Sequence, residues 1–105
     1  MTASYTTNVT VPVTASFTLW SGSVRPVAVD WTLYVNFPAG GTAARIQFTA
    51  DGTNPIAEFP MQGGTAGAAS LGDGHNIVVP SNAIGWRVFD GTTAGRLVCL
   101  RWWLQ

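Results

Sequence analysis

The chain has no lysine, one cysteine, one histidine and few charges of either sign. Each scarcity closes a route. With Cys99 as the sole cysteine, no internal disulfide can form. Nucleophilic catalysis needs a base beside the nucleophile and a third group to orient it. His75, in the turn-like "GDGHN", and Cys99, in a strand-like run, are the lone candidates, and no third group accompanies them. No catalytic residue is therefore expected, and the chain is read as non-enzymatic. Asp73 and His75 could supply two metal ligands, and "DGTN" at 51–54 faintly echoes a calcium loop. Neither stretch carries the spaced carboxylates or the second cluster that a cation shell requires, so no metal or cofactor is expected.

Charge is the next shortage. Charged residues make up 10% of the chain, five arginines balancing five acids to a net charge of zero. A soluble domain usually carries roughly 25%. Nucleic-acid binding normally needs a basic stripe, which this composition disfavours. Such a surface also has little repulsion to hold copies apart. No apolar run approaches the roughly 18 residues of a membrane-spanning helix, so no membrane partner is expected. The opening "MTASYTTNVT" lacks a basic region followed by an apolar run, so secretion by a signal peptide is not expected. Asn8-Val9-Thr10 fits a glycosylation acceptor, a use that would need such a signal. A reducing compartment is the expected place of folding.

What the sequence does have is a period of two. Val9, Val11, Val13, Ala15, Phe17 and Leu19 alternate with polar residues, with Pro12 marking an edge strand or a break. Val27, Val29, Trp31, Leu33, Val35 and Phe37 repeat the alternation, and Ile46, Phe48 and Ala50 follow on one face of "ARIQFTA". Asp51-Gly52 suits a tight connection to a short strand at 56–59. "NIVVP", "IGWRVF" and the terminal "RLVCLRWWL" supply three more strands, with 90–95 read as a hairpin between the last two. About seven strands, and no segment of convincing 3.6 period, predict an all-β antiparallel β-sandwich of jelly-roll-like type in a single domain. The expected organisation is a flexible N-terminal arm at 1–8, then the sandwich at 9–105 with a Gly-rich loop at 62–74. That loop, or the arm, is long enough to order against a neighbouring subunit.

The last strand carries two apolar faces. Val98, Leu100, Trp102 and Leu104 fall on one side, Leu97, Cys99 and Trp103 on the other. One core covers one face of a strand. Leu97, Cys99, Arg101 and Trp103 are therefore the candidate intersubunit interface, since tryptophan and arginine dominate interface energetics. An alternative is a carbohydrate-binding module, in which Trp20, Tyr34 and Trp103 stack on sugar rings and Asp30 or Asn36 is a polar partner. A weaker alternative is single-strand nucleic-acid binding through arginines and tryptophans.

From Asn36 onward the signals run through "FPAGGTAARIQFTADGTNPIAEF", the Gly-rich loop and "NIVVPSNAIGWRVFDGTTAGRLVCLRWWL". This order resembles small β-sandwich structural proteins of tailed-bacteriophage virions, of the capsid decoration and head or tail component type. The resemblance spans about 70 residues of pattern. It implies many copies on a virion assembled in the host cytoplasm. It also implies self-association, docking on a major capsid or other virion protein, and no catalytic residues.

Overall fold

The computed structural model describes residues 3–22, 25–33, 44–61, 77–91 and 95–104. Among these residues eight strands form: β1 (Ala3–Val11), β2 (Thr18–Leu19), β3 (Ala28–Leu33), β4 (Ala44–Thr49), β5 (Pro55–Pro60), β6 (Ile77–Val78), β7 (Gly85–Asp90) and β8 (Arg96–Trp103). Among the described residues there is no helix. The strands make two antiparallel sheets, sheet A in the order β1-β8-β3-β6 and sheet B in the order β2-β7-β4-β5. First pairs with last, second with seventh, third with sixth and fourth with fifth, and successive pairs go to opposite sheets. That is the jelly-roll order: one long hairpin rolled up so that its pairs face one another across a core.

The expected sandwich forms, with eight strands in place of seven. The extra strand comes from Pro12, whose missing N–H ends the pairing of β1. The chain then crosses to sheet B, and the alternation loses its phase there. Val9 and Val11 stay inward, whereas Val13 and Leu19 are exposed. The expected arm at 1–8 needs correction. Residues 3–8 belong to β1, paired with β8 from Ala3 opposite Trp103 to Asn8 opposite Cys99. Tyr5 and Thr7 prolong the inward row of Val9 and Val11, so the strand runs back beyond the apolar stretch. The expected hairpin at 90–95 is a second correction. β7 pairs with β2 and β4, while β8 pairs with β1 and β3, so this connection passes between sheets. The Gly-rich loop at 62–74 lies outside the described residues.

The core takes one face of every long strand. Val29 and Trp31, Ile46 and Phe48, Trp86 and Val88, and Val98, Leu100 and Trp102 supply most of it, as their alternation predicts. At its centre the fully buried Trp102 ring meets Tyr5 at 6.1 Å, Trp20 at 5.6 Å and Trp86 at 5.3 Å between centroids. Taking a ring of this size out of water contributes roughly 4–6 kcal/mol as an upper bound. The indole N–H of Trp102 donates to Thr7 Oγ1 at 3.2 Å, which satisfies its polar atom.

The β4–β5 connection is a true hairpin, built by its own side chains. Asp51 Oδ1 accepts from the backbone N–H groups of Thr53 (2.8 Å) and Asn54 (2.7 Å). The buried Thr49 hydroxyl donates to Asn54 O at 2.7 Å and accepts from Gly52 N at 2.9 Å. Gly52 sits at φ +85°, where a Cβ is disfavoured.

Candidate functional site

β8 is the second strand of sheet A, flanked by β1 and β3. One row of its side chains enters the core, so the outward row is set by the pleat. Directly paired residues share a face, and the register therefore reads out the outer surface of sheet A rung by rung. At one end Trp103 lies opposite Ala28, and Ala28 lies opposite Val78. This rung is wholly apolar. Ala28 is buried between its neighbours, Trp103 is half-buried, and Val78 is 75% exposed.

In the next rung Arg101 lies between Asp30 of β3 and Thr6 of β1. Arg101 Nε donates to Asp30 Oδ1 at 2.6 Å. Half-buried Cys99 beside exposed Asn8, and exposed Leu97 beside exposed Thr10, complete the face. All four candidate interface residues thus share one surface. Period-two reasoning placed them there but missed Val78 and Ala28. The signal for Val78 was available, since of adjacent Val78 and Val79 only one can point inward, and Val79 is the buried one.

The other tryptophans are committed elsewhere. Trp31, Trp86 and Trp102 belong to the core cluster, and Trp20 packs against it, its ring stacked on Phe48 at 6.4 Å. Trp20, expected as a sugar-stacking platform, is instead a wall of the core. Its chain crosses from the surface into the sandwich just after β2, where Trp20 N donates to Ile84 O at 3.0 Å. The buried Trp20 Nε1 finds no partner in hydrogen-bonding geometry, yet it lies close enough to the Tyr5 hydroxyl to favour the phenolate. Burial outweighs that contact and raises the Tyr5 phenol above its usual range. Tyr34 and Asn36 lie outside the described residues, as do Asp73 and His75.

The outer face of sheet B carries a network of paired polar and aromatic side chains. Arg87 lies over the Phe17 ring at 4.1 Å and the Phe89 ring at 5.1 Å. It donates from Nε to Gln47 Oε1 at 2.9 Å and from Nη1 to Ala15 O at 3.0 Å. Gln47 Nε2 donates to Glu58 Oε1 at 2.6 Å, and Arg45 lies 3.7 Å from the same carboxylate. These arginines are held by intramolecular partners, which leaves them poorly placed to grip a phosphate chain.

Between β1 and β2 lies a cleft of about 140 Å³ floored by Trp86 and Val88, with Thr10, Pro12 and Ser16 among its lining residues. It is well below the roughly 300–1,000 Å³ of an ordinary small-molecule site. No group of three metal-ligating side chains comes together among the described residues. The carboxylate of Asp51 is occupied by its own hairpin, which accounts for the calcium-loop echo in "DGTN". No family model, curated protein or solved structure matches the chain.

Proposed function

We propose that this chain is a non-enzymatic structural protein that self-associates, or docks on a larger symmetric assembly, with the outer face of sheet A as its docking surface. The supporting observation is the apolar rung Val78–Ala28–Trp103, which ends in the most exposed large hydrophobic side chain among the described residues. A lone surface valine is ordinary, but a valine continuous with tryptophan, beside a paired Arg101 and Asp30, has the anatomy of an interface. The virion-like order of sequence signals makes a tailed-phage particle the proposed assembly, with a major capsid or other virion protein as the receiving surface.

Light scattering on the full chain and on Trp103→Ala tests this reading, together with Val78→Ser. Loss of binding to an assembled shell in both variants is the expected result. Unchanged association in both variants would overturn the assignment of this face. The carbohydrate alternative keeps only Trp103 as a described platform off the core. It predicts quenching of tryptophan fluorescence by a glycan panel, abolished in Trp103→Ala.

A further inference from the structure

Sheet A ends in β1 and β6, and sheet B ends in β2 and β5. Exposed edges invite pairing with other chains, and proteins usually shorten them, charge them or place proline there. Three of these four edges follow that rule. β2 and β6 are two residues long, and β5 begins and ends in proline with Glu58 between. β1 does not follow it. Its nine residues, ASYTTNVTV, contain no charge, no proline and no glycine. Its register with β8 is regular from Tyr5 to Val11, with one irregularity at the very start. In an antiparallel pair, alternate residues turn their N–H and C=O groups away from the partner. Among the described residues no strand lies on that side of β1.

We propose that β1 joins two copies of this chain, antiparallel across a two-fold axis, into one continuous eight-stranded sheet. The proposal rests on the self-association reading above, gives the contact between copies to the β1 edge, and leaves the Trp103 face to dock on the larger assembly. The occupant is a second copy because the strand is compatible with itself. Two-fold pairing sets the outward residues Thr6, Asn8 and Thr10 against the same set. It sets the inward residues Tyr5, Thr7, Val9 and Val11 against their own equivalents. Threonine pairs and aromatic–β-branched pairs are favourable across strands, and no like charges meet. The zero net charge of the whole chain adds no long-range repulsion. Such a contact is isologous and closes at two copies. The axis of an antiparallel pair stands perpendicular to the sheet, so both Trp103 faces would look the same way. The dimer would then present two docking rungs to one surface, a bivalent arrangement.

Sedimentation velocity and amide hydrogen exchange on the full chain test the inference, with Asn8→Lys as the principal variant. Asn8 is exposed, so the fold should survive, which far-UV circular dichroism checks. The expected result is a dimer whose outward β1 amides gain protection as concentration rises. In Asn8→Lys, which brings like charges together near the two-fold, dimerisation should weaken by about tenfold or more, whereas Asn8→Thr should keep it. A chain monomeric at every concentration overturns the inference, while docking on a separate partner is judged by Trp103→Ala. An oligomer insensitive to Asn8→Lys but lost in Trp103→Ala also overturns it, and that result moves self-association to the face of sheet A.

Discussion

Trp102 and Trp103 are adjacent, yet one is fully buried and the other half-exposed on the opposite side of β8. The pleat alone produces that division. It makes the two alanine substitutions behave differently. Trp102→Ala leaves a cavity at the centre of the aromatic cluster and should cost about 3–5 kcal/mol in denaturant unfolding. Trp103→Ala removes a half-buried ring on the outer face of sheet A, so it should cost less than Trp102→Ala and weaken docking. Thr7→Val removes the acceptor of the buried Trp102 N–H and should cost about 1–3 kcal/mol.

Asp51 gives a pH-dependent case at the same scale. Its carboxyl titrates below the ordinary value of 3.8, chiefly because the Asn54 backbone N–H and then the Asn54 side chain donate to it. A depressed folded-state value means that the stabilisation is present above the unfolded value and is lost as pH falls below it. Thermal stability of the wild type should therefore fall below about pH 4, and Asp51→Ala should flatten that limb. An unchanged acid limb in the variant would contradict this role.

At the scale of elements, β2 shows how little holds a two-residue strand. It pairs with β7 through Thr18 opposite Trp86 and Leu19 opposite Gly85. A Cβ on Gly85 would stand 2.6 Å from Thr18 O and 3.2 Å from Leu19 Cα, and backbone cannot step aside as a side chain can. Gly85→Val should therefore detach β2 at a cost of about 1–3 kcal/mol, with earlier exchange of the Trp20 amide that donates to Ile84 O. Strand positions were readable wherever one residue type alternated with another, as in β3, β4, β7 and β8. The split between β1 and β2 was half readable, because Pro12 marks a stop without saying which sheet receives the chain next. The backward reach of β1 to Ala3 was not read, since its inward residues there include polar Thr7, whose partner Trp102 is 95 residues away.

At the scale of the molecule, the rolled hairpin puts the first strand beside the last and makes β1 an edge. That single placement turns a neutral, threonine-rich segment into the proposed joining strand, and it sets the Trp103 face beside it. Alternation, turn residues and low charge determined by themselves that this is an all-β sandwich, that Trp31, Trp86 and Trp102 fill its core, and that β8 has an apolar outer row. Those are local properties, encoded by neighbours two residues apart. Only the tertiary structure decided the strand order, the crossing at 90–95, the capture of Trp20 by the core and the rung that joins Val78 to Trp103. Each of these depends on pairing between strands far apart in the chain, where a one-residue change of register would exchange the buried and exposed faces.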